Sequence, residues 1–189
     1  MNIFAFGHKK QVGKDTFVKF VIEILRKKNQ KLNIQRVGFA DKLKATCHML
    51  YGWAGHKSPS YYEHTEGSKN EKLILLGKTV RDLWIEFGNH ARTFDENIWI
   101  NPLLKAEFCD VLFITDLRYP NEAWTVKAAG GTIVKVENDN VPKTDDVADC
   151  GLDGFQGWDR VIKNNGTLND LYKQAEEWVE KLELTTMRM

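Results

Sequence analysis

The segment 6–17 reads FGHKKQVGKDTF. A glycine, a lysine and a small polar pair at the start of a helix are the equipment for holding phosphate. Consecutive backbone N–H groups and the helix N-terminus surround the oxygens, and the lysine reaches the outer ones. Gly13 permits the close backbone approach, and Lys14 is that lysine. The usual spacing is G-x-x-x-x-G-K-[ST], and it is missed twice. Gly7 lies one residue too far from Gly13, so His8 holds the glycine position, and Asp15 replaces the Ser or Thr after the lysine. A carboxylate at Asp15 still suits Mg²⁺, directly or through water. Thr16 keeps a hydroxyl one position later. His8 reads as a tolerated loop residue and not as a base.

Other residues fit the same chemistry. Asp116 ends the apolar run DVLFITD, where a carboxylate holds Mg²⁺ in phosphate-loop enzymes. A plain turn cap is the competing reading. Arg118, two residues on, suits a transferring phosphoryl group or an acceptor phosphate; a surface pair with Glu122 is its alternative. Arg81 and Arg92 sit within the aromatic segment TVRDLWIEFGNHARTFDENIW. Arginine among rings suits a nucleotide, whereas Leu83, Trp84, Phe87 and Trp99 read as core.

These side chains need a scaffold, and the hydrophobic pattern supplies one. NIFAF is a short apolar strand ending at Gly7, and Phe17, Phe20, Val21, Ile24 and Leu25 recur at helical spacing after the loop. Further strands are expected at 33–39, 110–116, 132–137 and 160–163. Helices are expected after an Asp41 cap, over 80–92 and 96–108, after Pro120, and after a Thr167 cap. Residues 52–70 and 138–158 read as long loops of the functional kind. Strands alternating with helices imply a parallel sheet covered on both faces. Ligands then bind beyond the carboxyl ends of the strands, so the loops after Phe6 and Phe39 and the Asp116 turn share one edge. The chain reads as one domain over 1–189.

Composition narrows the field. With 189 residues, 42% hydrophobic, the chain is long enough for a real core. A net charge of +1 offers no field for nucleic acid. No apolar run spans a bilayer, and no signal peptide is apparent, which points to the cytoplasm. Three scattered cysteines fit reduced thiols, and the five histidines lack ligand spacing.

Taken together, five segments resemble the deoxynucleoside monophosphate kinases of bacteriophages: FGHKKQVGKDT, FADKLK (39–44), TVRDLWIEFGNHART with ENIW, ITDLRYPNEA (114–123) with GGTIVKVE, and DRVIKNNGTLNDL (159–171). The resemblance covers nearly the whole chain. It implies an α/β, three-layer P-loop fold with a mainly parallel sheet, an acceptor-binding helical region (53–108) and a lid-like loop (138–158). It implies ATP and Mg²⁺ as cofactors and transfer of the γ-phosphoryl group to a deoxynucleoside monophosphate. Small-molecule substrates are the implied partners, with neither nucleic acid nor membrane, in the host cytoplasm if the source is viral; a homodimer is left open.

Carried over residue by residue, Gly13, Lys14, Asp15 and Thr16 bind ATP phosphates, Asp15 and Asp116 serve the metal, and Asn165 and Gly166 border the adenine. Lys14, Arg81 and Arg118 are the catalytic candidates. Lys44, Tyr61, Tyr62, Arg81, Arg92 and Arg118 are candidates for the acceptor. Against the pattern, the segment 138–158 has no arginine and only Lys143. A kinase for another small acceptor on the same fold, with Asp41 as base and dephospho-coenzyme A as the type of substrate, is one alternative. A non-enzymatic nucleotide-binding module is the other.

Overall fold

The structure, a computed structural model, describes residues 1–104, 109–142 and 147–182. Its strands are β1 (Asn2–Gly7), β2 (Ile34–Val37), β3 (Lys72–Leu73), β4 (Lys78–Thr79), β5 (Val111–Leu117), β6 (Thr132–Glu137) and β7 (Arg160–Lys163). The α-helices are α1 (Lys14–Lys28), α2 (Phe39–Tyr51), α3 (Pro59–His64), α4 (Val80–Phe94), α5 (Asn101–Leu104), α6 (Pro120–Ala128), α7 (Val147–Cys150) and α8 (Leu168–Glu180). The chain divides into two compact units, Met1–Gly38 with Leu104–Met189, and Phe39–Leu103.

The first unit holds the parallel sheet that the alternating pattern implies. Its order is β2-β5-β1-β6-β7, with every pairing parallel. β1 and β5 are central and almost wholly buried, as strands covered on both faces must be. Successive residues point to opposite faces. Phe4, Phe6, Phe113 and Val134 therefore meet α1 and α8 on one side. Ile3 is turned to the other side, where α6 packs against β1 and β6. Gly131 permits that contact, since a Cβ there would stand 2.6 Å from Val126 and 3.1 Å from Ile3.

Trp178 of α8 is the centre of the first layer. Its ring lies 5.0 Å from Phe4, 6.0 Å from Phe6, 6.2 Å from Phe17 and 6.3 Å from Phe113, centroid to centroid. Each such aromatic pair is worth about 0.5–1.5 kcal/mol beyond its area. The expected Thr167 cap is present: Thr167 Oγ1 accepts from Asp170 N–H, and Asp170 Oδ2 accepts from Thr167 N–H.

The second unit is mainly helical. Leu43, Cys47, Tyr62, Leu73, Val80, Leu83 and Trp99 form its core, with Trp84 and Phe87 packed against it, so the tryptophans serve packing as expected. Trp84 Nε1–H donates to Nε2 of His56 (2.9 Å), and His56 Nδ1–H donates to the Lys57 carbonyl (2.8 Å). That pair of bonds fixes His56 as a neutral tautomer, and burial pushes its pKa down.

Three expectations are corrected here. Asp41 does not precede α2, which already begins at Phe39; it lies in the first turn, where a carboxylate favours the helix dipole. Residues 52–70 are not one loop. They contain 3₁₀ turns at Gly52–Ala54 and Ser68–Asn70 and the helix α3, started by Pro59 at a position that needs no N–H. The helix expected over 96–108 appears only as α5, because Asp95 Oδ1 accepts from Asn97 N–H and turns the chain first; residues 105–108 lie outside those described.

Trp178→Ala is predicted to cost about 3–5 kcal/mol. Trp178→Phe is predicted to cost under about 1.5 kcal/mol, because the buried indole N–H makes no hydrogen bond to a described group and nothing is lost with it. Urea unfolding of both variants measures the difference.

Candidate phosphate-binding site

The loop between β1 and α1 leaves the carboxyl edge of the sheet. Phe6 is fully buried and Gly7 pairs with Leu117, so the edge is fixed before the loop begins. A Cβ on Gly7 would lie 2.8 Å from the Leu117 carbonyl and 2.9 Å from the Trp158 ring. The glycine is held there by close packing, and the turn starts one residue later. His8 has φ 95°, Gln11 φ 61° and Gly13 φ 95°. His8 thus adopts a positive φ in the glycine position of the loop, at a cost of about 1–3 kcal/mol for a non-glycine residue. Its ring compensates. Nε2–H donates to Asp153 at 2.7 Å, and the ring packs edge-on to Trp158. Burial lowers its pKa, in keeping with a neutral, structural imidazole.

Gly13 caps α1 in the left-handed conformation. Asn164 lies directly against it: a Cβ on Gly13 would be 2.4 Å from Asn164 Nδ2, which donates to the Val12 carbonyl at 3.0 Å. The segment 159–171 therefore meets the loop through Asn164, the first asparagine of its pair. Asn165 turns the other way and bonds Asp139, accepting from its N–H at 2.9 Å and donating to its carboxylate at 2.6 Å. Gly166 is exposed and packs on Asp170.

Lys14 is 6% exposed, and its ammonium donates to the Lys9 carbonyl across the loop. Burial, then the charge of Arg118, lowers its pKa to about 8; Asp15, Asp149 and Asp116 act in the opposite sense. Three carboxylates and a guanidinium thus share the field of one lysine. Asp15 is exposed and paired with Arg36 from β2. Thr16 is half-buried at the next position. Asp116 is half-buried at the end of β5, against the backbone of Gly38, where a Cβ would stand 2.8 Å from its Oδ2.

Among the described residues no group of three His, Cys, Asp or Glu side chains is placed to hold a metal. Asp15 and Asp116 nevertheless suit Mg²⁺. That ion takes one or two carboxylates and completes its shell with phosphate oxygens and water.

Arg118 follows β5. Its backbone N–H donates to Glu122 Oε2 at 2.8 Å, while its guanidinium pairs with Asp149. The segment 138–158, which has no arginine, brings the carboxylates of Asp149 and Asp153 to this edge instead. Lys143 lies outside the described residues.

The second unit holds another set of cations. Lys44 lies 3.4 Å from Asp41 and 3.6 Å from Glu63, with its ammonium 5.9 Å from the Trp84 ring centre. The charges of Lys44 and Arg81 reach Lys69 and, after burial, push its pKa down. Arg81 is exposed, and neither it nor Lys69 makes an ion pair with a described residue. Arg92 is half-buried and its Nη1–H donates to Asn89 at 3.3 Å. Tyr61 donates its hydroxyl to Glu71 at 2.6 Å. Tyr62 is 2% exposed, and its hydroxyl accepts from Lys57 N–H, so its ring stands in the core of this unit.

Several residues in these two sets were not singled out by the sequence, among them Arg36, Gly38, Lys69, Asp149, Asp153 and Asn164. Asn164 carried a signal as the neighbour of Asn165 in the pair before Gly166, and Asp149 and Asp153 fall within the loop 138–158 that was expected to be functional.

Lys14 generates a prediction. Anion binding needs the ammonium, whose pKa in the free chain is about 8. Above that pH the lysine must take up a proton as it binds. Tripolyphosphate affinity is therefore predicted to fall as pH rises through 8, approaching tenfold per pH unit. Calorimetry in buffers of different ionisation heat reports the proton uptake; a flat affinity from pH 7 to 9.5 contradicts it.

No protein-family model matches the chain. A protein of Acanthamoeba polyphaga mimivirus named "Putative deoxynucleotide monophosphate kinase" is 25% identical over 182 residues, covering 89% of this chain and 91% of that one. A solved shikimate kinase from Aquifex aeolicus aligns over 95% of this chain and 96% of its own, at 16% identity and a TM-score of 0.44. A likeness that low carries no weight, and the fold rests on strand order and loop geometry. The chain has the α/β P-loop fold, and over nearly all of both sequences it is similar to a viral protein of that deoxynucleotide monophosphate kinase name.

Proposed function

We propose that this protein transfers the γ-phosphoryl group of ATP to a deoxynucleoside monophosphate, giving the diphosphate. One observation carries the reading: the chain holds two separate sets of cations suited to phosphate. One, around Lys14, has the P-loop shape. The other joins Lys44 to Lys69 and Arg81, which make no ion pair with a described residue. A donor and a phosphorylated acceptor need one each. The name of the viral relative supplies the class of acceptor.

Roles follow from chemistry. Backbone N–H groups up to Gly13 and the start of α1 receive the ATP phosphates, with Lys14 on the outer oxygens and Thr16 offering a hydroxyl. Asp15 and Asp116 hold Mg²⁺, which when bound neutralises charge on the phosphate oxygens. Asn165 and Gly166 border the adenine. Arg118 faces the transferring group, because a guanidinium binds several oxygens at once. Lys44, Lys69 and Arg81 hold the acceptor phosphate, Arg92 adds charge, and Tyr61 with the edge of Tyr62 walls the base. The acceptor phosphate is already a nucleophile, so no general base is needed.

A coupled ADP-release assay with ATP and Mg²⁺ tests this, with dAMP, dGMP, dCMP, dTMP and the ribonucleotides supplied singly. Turnover is expected with one or a few of them, and none with ATP alone. Lys14→Ala is predicted to abolish transfer with the circular dichroism unchanged; full activity in that variant ends the P-loop reading. Arg81→Ala is predicted to raise KM for the monophosphate by about tenfold, as loss of a charged hydrogen bond does, and to leave KM for ATP nearly unchanged. An effect on ATP alone would place Arg81 with the donor.

A further inference from the structure

The segment 149–153 places two carboxylates on the cations of the phosphate loop. Asp149 has no exposed side-chain surface. Its Oδ1 accepts from the Arg118 guanidinium, and its Oδ2 lies 3.3 Å from the Lys10 ammonium. Asp153 accepts from His8 at 2.7 Å and lies 3.4 Å from the Lys9 ammonium. The charge of Asp149 also reaches Lys14. Four groups that a polyphosphate would use, Lys9, Lys10, Lys14 and Arg118, are thus already answered by the chain itself.

The contact is held firmly in place. Gly151 sits so close to β5 that a Cβ there would be 2.5 Å from the Arg118 carbonyl. The backbone of the segment is therefore seated against the end of β5, with the buried carboxylate of Asp149 on one side of Gly151 and the exposed carboxylate of Asp153 on the other. The two carboxylate oxygens of Asp149 divide between two cations, Oδ1 on Arg118 and Oδ2 on Lys10 at the longer distance of 3.3 Å. Together the two cations outweigh burial and hold the carboxylate charged. A polyphosphate brings more charge and more acceptor oxygens to the same cations.

We infer that Asp149 and Asp153 form an internal counter-anion, which occupies the phosphate loop in the free chain and which the phosphates of a nucleotide must displace. This rests on the P-loop reading of the site. The segment sets the affinity for the donor from within: it neutralises the loop when empty and lowers the affinity of any anion that enters.

The test is the affinity of the full chain for tripolyphosphate and for ATP, measured by calorimetry for wild type, Asp153→Asn and Asp149→Asn. Asp153 is 46% exposed on its side chain, so its replacement leaves the fold intact. Asp153→Asn is expected to tighten both ligands about threefold, the scale of an exposed ion pair. Asp149→Asn is expected to tighten them about tenfold, with thermal melting confirming that it folds. If Asp149→Asn unfolds, Asp153→Asn decides alone. Weaker binding in the variants overturns the inference and makes the carboxylates positioning residues for the bound nucleotide. Equal binding in all forms overturns it too, while the P-loop reading stands. If no form binds tripolyphosphate, both fall.

Discussion

The structure turns on the burial of one ammonium group. Lys14 stands at the N-terminus of α1, nearly out of reach of water, with the positive end of the helix behind it and Arg118 near it. Charge of one sign in a desolvated place is costly unless something answers it. In this chain the Lys9 carbonyl and the carboxylates of Asp15, Asp116 and Asp149 answer it. Each comes from a different element, and the sheet exists to bring them together. β1 delivers the loop, β5 delivers Asp116 and Arg118, and Gly38 at the end of β2 supports Asp116.

The aromatic layer under that edge explains how the arrangement is held. Phe4 and Phe6 of β1, Phe17 of α1 and Phe113 of β5 all meet Trp178. The same strand and helix that carry the loop are thereby tied to the last helix and to the neighbouring strand. Strain at His8 is tolerated because the ring is bonded and packed on its far side. The positive φ that glycine ordinarily provides is kept by a histidine with partners.

How much of this was legible in the sequence depended on distance along the chain. The strands and α1 were legible because their apolar periods are local and strong. Gly13 and Lys14 were legible because the loop chemistry needs neighbours in sequence. The helical content of 52–70 was hidden, since Pro59 starts a helix whose stability comes from Tyr62 packing on Trp84 and His56, not from an amphipathic repeat. Asn164 bonds a carbonyl 152 residues away, and Asp153 bonds a histidine 145 residues away. No local pattern marks such partners. Lys69 was hidden for a related reason: its meaning lies in the nearness of Lys44 and Arg81, and spacing alone does not show it.

The central claim is that the P-loop delivers a phosphoryl group to a monophosphate. Incubating the protein with ATP labelled at the γ-phosphorus, Mg²⁺ and a deoxynucleoside monophosphate, then separating the products, follows that group directly. The account predicts label in the β-position of the new diphosphate, in amounts equal to the ADP formed, with none released as inorganic phosphate. Label appearing only as inorganic phosphate, or remaining on ATP with every monophosphate offered, would contradict it.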